Sequence, residues 1–191
     1  TMASADRDKI VELSNWGDIQ YLSLYQAFKD CSNMQYTATD YPDFSAATAN
    51  TGNMFRQCFK GCSGITNAID LGLAVGTDIN LDNMSWGSAN SLASFMQGTQ
   101  IKTLTMQNWT LPASNNCSLY AMFYQADSGA AASIALDLSG WSNTNKIGGL
   151  NNFMRASTSS SSPFISLNTT GWDTSGFNNL SYAFYNCAFL T

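Results

Sequence analysis

The chain of 191 residues contains no histidine and only one glutamate, Glu12. Histidine is the commonest general base and a frequent metal ligand, so its absence excludes Ser–His–Asp triads and histidine-containing zinc sites. No run approaches the roughly 18 apolar residues that a transmembrane helix needs. Charged residues make up only 11% of the chain, and the net charge of −5 comes without any basic cluster. We therefore predict neither nucleic-acid binding nor membrane insertion.

Aliphatic residues are also scarce, with only two valines, while the chain has 11 Phe, 8 Tyr and 5 Trp. The core must therefore depend on large rings. The five cysteines form no Cys-x-x-Cys pair, and the spacing of Cys58 and Cys62 is a weak metal signal. We expect mostly buried thiols, no metal and no cofactor.

A repeat of about 30 residues organises the chain. Gln26–Met34 resembles Gln57–Ile65, and a phenylalanine returns at intervals of 28 to 36 residues. A small residue follows each phenylalanine by three positions, which predicts a tightly packed column. The phenylalanines are Phe28, Phe59, Phe95, Phe123, Phe153 and Phe184. The small residues are Cys31, Cys62, Gly98, Ala126, Ala156 and Cys187.

Each repeat unit reads as a strand followed by a short helix. Alternation such as Leu136/Leu138 upstream of Trp141 predicts a strand, and the spacing of four in Leu119/Phe123 predicts a helix of about two turns. We therefore predict an α/β fold: a right-handed leucine-rich-repeat solenoid of about six strand–helix units, with a parallel sheet on its concave face. Its strand in the third unit is either Ile69–Leu73 or Ile79–Met84.

The predicted domain organisation has three parts. Residues 1–9 are a lead-in, 10–187 form the single solenoid domain, and 188–191 begin a further repeat that stops. Because an uncapped end exposes core, we expect the natural chain to be longer.

Three segments carry a family resemblance: Leu136–Trp141, Thr170–Ser175 and Leu180–Cys187. They are similar to the BspA-type leucine-rich repeats of bacterial and protist surface proteins and of phage tail fibres. The match covers nearly the whole chain from about Val11. The resemblance implies a location outside the cell, on a cell or virion surface, and a role in binding.

The candidate binding site lies on the predicted strands. Side chains of a strand alternate between its two faces, so polar residues four and two positions before each tryptophan should share the exposed face. Such a surface could bind sugar hydroxyls, hold Ca²⁺, or simply be solvated. The candidates are Glu12, Asp82, Thr105, Gln107, Asp137, Ser139, Asn168 and Thr170.

The aromatic residues admit two interpretations. The periodic tryptophans could stack on sugars, but we expect them to close each unit against the next. The tyrosines Tyr25, Tyr120, Tyr124 and Tyr185 could be binding anchors or scattered amphipathic rings.

We therefore predict a non-catalytic recognition or adhesion module for a glycan or protein on a cell surface. The alternatives are a structural spacer in a larger surface or virion protein and an Asp-dependent glycan-active enzyme. Only the region of Asp82 and Asp137 offers material for such an enzyme.

Overall fold

The computed structural model describes residues 4–40, 42–43, 55–65, 69–70, 92–99, 103–107, 109–111, 117–126, 134–156 and 164–191. Two 3₁₀ helices, Ser4–Lys9 and Thr144–Lys146, are present there. The strands are β1 (Glu12–Leu13), β2 (Gln35–Tyr36), β3 (Ile69–Asp70), β4 (Thr103–Thr105), β5 (Cys117–Ser118), β6 (Ile134–Asp137), β7 (Ile147–Gly149) and β8 (Phe164–Asn168). None of the helices in these ranges is long and apolar enough to cross a membrane.

All described strand pairs are parallel and fall into three sheets. Strands β1 and β2 pair, β5 and β7 pair, and a four-stranded sheet has the order β3-β4-β6-β8. Its register aligns Leu104 with Leu136 and Leu136 with Leu167. Leu136 and Leu138 are buried, so the alternation read from the sequence does place these two side chains inward.

Six short segments of consecutive turns lie beside one another in the same order. We call them the turn segments: 24–31, 55–62, 92–99, 119–126, 150–156 and 180–187. Within a segment, some amides bond the carbonyl three residues back, as Phe95 N does to Leu92 O at 3.2 Å. Alternate amides donate instead to the next segment, as Phe123 N does to Phe153 O at 2.8 Å. Three such bonds join each neighbouring pair of turn segments, which makes a backbone ladder.

The predicted leucine-rich-repeat solenoid of strand–helix units is wrong. The described residues contain no α-helix, and the segments predicted to be helical are the turn segments. An α-helix requires each amide to bond within its own segment, whereas here every second amide donates to a neighbour. Left-handed residues also interrupt each segment, for example Ala121 (φ 52°) and Gln125 (φ 53°). The single parallel sheet on a concave face is wrong too, since the described strands form three separate sheets, two of them with only two strands.

The core is a row of aromatic rings between the strands and the turn segments. Phe28 and Phe59 stack with centroids 5.6 Å apart, and Phe59 meets Phe95 edge-on at 5.5 Å. Further along, Phe123 and Phe153 lie 5.3 Å apart. Burying these rings stabilises the ladder because each neighbouring turn segment covers the ring of the previous one.

Candidate functional site

The polar residues of strands β4, β6 and β8 are brought to matching positions. The register pairs Thr105 with Asp137 and Asp137 with Asn168. Neighbouring strands lie about 4.8 Å apart, so these positions form one row across the sheet. The residues two positions later in the sequence, Gln107, Ser139 and Thr170, form a second row. We call these six residues the strand face: Thr105, Gln107, Asp137, Ser139, Asn168 and Thr170.

Asp137 is the centre of the strand face. Its carboxylate accepts a hydrogen bond from Gln107 Nε2 at 2.5 Å and another from the Ser139 backbone N–H at 3.1 Å. The first bond joins two neighbouring units and the second closes a tight turn at the end of β6. The side chain is half-buried, so its carboxylate both fixes local structure and presents acceptor capacity to solvent.

Asn168 and Thr170 repeat this turn on the next strand, with greater exposure. The Asn168 Oδ1 atom accepts hydrogen bonds from the Thr170 backbone N–H at 3.1 Å and from Thr170 Oγ1 at 2.7 Å. Both side chains are exposed. The turn therefore holds an amide and a hydroxyl in a fixed orientation toward solvent.

Glu12 and Asp82 do not join this group in the described structure. Glu12 belongs to β1, which pairs with β2 in a separate sheet, and its Oε1 atom accepts a hydrogen bond from Thr37 Oγ1 at 2.5 Å. Asp82 and the candidate strand Ile79–Met84 lie outside the described residues. The third unit instead contributes β3, in which Asp70 pairs with Thr105. Asp70 was overlooked in the sequence, although Ile69–Leu73 was one of the two strand alternatives.

The side chains of the strand face can donate and accept hydrogen bonds. Its described side chains offer one carboxylate, two amides and two hydroxyls: those of Asp137, Gln107, Asn168, Ser139 and Thr170. Calcium requires six to eight oxygen ligands. No group of three or more His, Cys, Asp or Glu residues suited to a metal occurs in the described part of the chain.

The tryptophans are packing residues rather than an exposed sugar platform. Trp16, Trp109 and Trp141 are buried, and Trp141 stacks on Trp109 with centroids 5.7 Å apart and an interplanar angle of 13°. The Trp141 indole N–H donates to the carbonyl of Met106 in the preceding unit. Trp172 repeats this contact, donating to Leu138 O at 2.7 Å. Trp86 lies outside the described residues.

The predicted buried thiols are found at four positions. Cys31, Cys58, Cys62 and Cys117 are buried, whereas Cys187 is half-buried. Burial raises the pKa of Cys117 to about 12, and burial also raises the pKa of Cys58 well above its ordinary value. The Cys62 thiol donates to Phe28 O at 2.9 Å. A protonated thiol is a poor nucleophile and a poor metal ligand, so these residues act in packing.

Five tyrosines and an arginine mark the outer surface of the turn segments. Tyr25, Tyr120 and Tyr185 are 41%, 45% and 48% exposed, and Tyr124 is half-buried. The Arg155 guanidinium lies over the rings of Tyr124, Tyr182 and Tyr185 at 5.6, 5.1 and 5.3 Å from their centroids. This surface differs from the strand face, because it combines a cation with exposed aromatic rings.

No family model, no curated protein and no solved structure matches this chain.

Proposed function

We propose that the chain is a non-catalytic recognition module that binds a glycan of a cell surface through the strand face. The observation that carries the proposal is the strand register, which aligns Thr105, Asp137 and Asn168 across three hydrogen-bonded strands. A ligand with hydroxyls at regular spacing can then be bound by several units at once. We place this activity outside the cell, on a cell or virion surface.

The chemistry of the face favours a glycan over a protein as the ligand. None of the six strand-face residues is apolar. The centres of protein interfaces are enriched in aromatic residues and methionine, and the strand face has neither. Amides, hydroxyls and a carboxylate are instead suited to sugar hydroxyls, which both donate and accept hydrogen bonds.

The test compares the wild-type chain with an Asn168→Ala/Thr170→Ala double variant on a glycan array. Both side chains are exposed and bond each other, so we expect the fold to persist while binding of the tightest neutral ligand on the array falls by about tenfold or more. Circular dichroism checks the fold.

A matched control changes a turn of the same type that lies outside the strand face. In the Asn179→Ala/Ser181→Ala variant, the equivalent turn is removed, in which Ser181 N donates to Asn179 Oδ1 at 2.9 Å. We expect this variant to bind like the wild type. Equal binding by both double variants, or no saturable binding by the wild type, would contradict the proposal; the second result favours a structural spacer.

A further inference from the structure

A groove of about 500 Å³ opens on the outer surface of three consecutive turn segments, 55–62, 92–99 and 119–126. Arg56 and Lys60 line one wall, and Tyr120 and Tyr124 line the other. This groove is built from the turn segments and contains none of the strand-face residues. A ligand in this groove is therefore distinct from the one that we propose for the strand face.

The groove exists because the middle turn segment carries small residues. The backbone ladder aligns Arg56, Ala93 and Tyr120, since Gln57 N donates to Ala93 O and Ser94 N donates to Tyr120 O. Ala93 and Ser94 are buried floor residues between long side chains. Two ladder steps separate the walls, so the backbones of the two outer turn segments lie about 10 Å apart.

The outer surface of the turn segments is positively charged, although the whole chain has a net negative charge. The six turn segments hold four cations, Lys29, Arg56, Lys60 and Arg155, and one acid, Asp30, in a chain of net charge −5. Asp30 is already paired with Arg7 at 2.9 Å. Neither Arg56 nor Lys60 has a side-chain hydrogen bond or ion pair among the described residues.

The aromatic wall supplies the second half of a binding site. Tyr120 is 45% exposed, and Tyr124 already carries the Arg155 guanidinium at 5.6 Å from its ring. An exposed tyrosine ring can cover the apolar face of a sugar while its hydroxyl stays in water. Gln57 and Gln97 line the groove as well and offer amides to hydroxyl groups.

A peptide strand is a poorer occupant. Adding a strand requires unpaired backbone groups at an edge. In this groove, the amides of Gln57, Ser94 and Ala121 donate to neighbouring turn segments. The groove therefore offers side chains and not backbone groups to a ligand. Its cations suit an anionic group, and its tyrosines suit a sugar ring.

From this arrangement we infer that the groove is a second binding site, specific for an acidic saccharide. The carboxylate or sulfate of the sugar is bound by Arg56 and Lys60, whose charge-assisted hydrogen bonds are the strongest available. The sugar ring lies on the floor of Ala93 and Ser94 against Tyr120. Neutral sugars lack the anion and bind weakly.

The experiment uses oligosaccharides bearing uronic acid, sialic acid or sulfate, each beside its neutral methyl-esterified or desulfated counterpart. Titration of the wild-type chain should show at least about tenfold tighter binding of the charged member of one pair. Added salt should weaken this binding because exposed charges are screened. Equal affinity within every pair, or binding of inorganic phosphate as tight as that of any charged saccharide, would overturn the inference.

Variants assign that binding to the groove. Arg56→Gln and Lys60→Gln remove one charge each, and Ala93→Gln fills the floor without changing charge. All three should reduce binding of the charged saccharide by about tenfold, whereas Lys146→Gln, which removes an equal charge outside the turn segments, should not. If Lys146→Gln weakens binding as much as Arg56→Gln does, overall charge explains the result and the groove is not the site.

Discussion

Replacing Trp141 by phenylalanine should destabilise the chain strongly, because this ring joins three neighbouring units. Trp141 is buried between Trp109, at 5.7 Å, and Trp172, at 5.3 Å. The substitution removes the indole N–H, so the buried carbonyl of Met106 loses its donor. That loss costs about 1–3 kcal/mol. The smaller ring also gives up roughly 40 Å² of buried apolar surface, worth about 1 kcal/mol.

The expected decrease in the free energy of unfolding is therefore about 2–4 kcal/mol. Equilibrium urea unfolding followed by circular dichroism measures it, since fluorescence would change with the tryptophan itself. Trp172→Phe is the matched control, because Trp172 donates an equivalent bond to Leu138 O at 2.7 Å but is only half-buried. We expect the control to lose roughly half as much. A loss below about 1 kcal/mol for Trp141→Phe, or a larger loss for Trp172→Phe, would refute the packing role.

Two further predictions concern thiols and acid. The buried thiols should not react with an aromatic disulfide reagent at about pH 8 in the native chain, because their raised pKa keeps them protonated, and they should react once denaturant is added. The thiols concerned are Cys58, Cys62 and Cys117. Fast native reaction of these three, identified by mass spectrometry, would contradict their burial. The second prediction concerns Asp40. Its carboxylate accepts hydrogen bonds from the backbone N–H groups of Trp16 and Gly17, at 2.9 and 2.8 Å. These bonds lower the pKa of Asp40. Its stabilising effect is present above the unfolded pKa of about 4 and disappears as pH falls through the lower folded value, so the stability difference between wild type and Asp40→Asn should shrink in acid. Urea unfolding at several pH values measures this difference, and a constant difference would contradict the pKa assignment.

The alternation around Asp137 was readable from the sequence because it depends on local spacing, whereas the same pattern at Val11 and Leu13 did not place Val11 inward. Leu136 and Leu138 point inward and Asp137 does not, as the period of two predicts. The repeating tryptophans predicted close packing between units, and Trp141 over Trp109 shows it. Both features follow from side-chain type and spacing alone.

The helices were mispredicted because a spacing of four has two structural meanings. Leu119 and Phe123 share a face in a helix, but they also do so in a pair of consecutive turns. The left-handed backbone at Ala121 and Gln125 distinguishes the turns from a helix. Neither alanine nor glutamine favours that conformation, so the sequence does not predict it. At the position equivalent to Gln125, two other units have glycines, Gly61 and Gly98, with φ of 76° and 71°. The spacing from phenylalanine concealed this signal, because it aligned Gly98 with Cys62 and not with Gly61. Glycine recurring at one position of a repeat indicates a turn.

The sequence predicted the relative placement of some candidate residues. The register brings Thr105, Asp137 and Asn168 together, as the spacing from the tryptophans suggested. Glu12 lies in a separate sheet among the described strands, and the spacing from tryptophan does not reveal that separation. The groove at Ala93 was missed for a related reason: a small residue in one segment has meaning only once its neighbours in the ladder are known.

The glycan-binding role of the strand face is tested most directly by mapping where a bound glycan contacts the chain. Amide resonances of the isotope-labelled protein would be followed while the tightest neutral ligand from the glycan array is added. We expect saturable shifts clustered at the strand face, around Gln107, Ser139 and Thr170. Shifts confined to regions outside the strand face, or none at saturating ligand, would contradict the claim that this surface recognises a glycan.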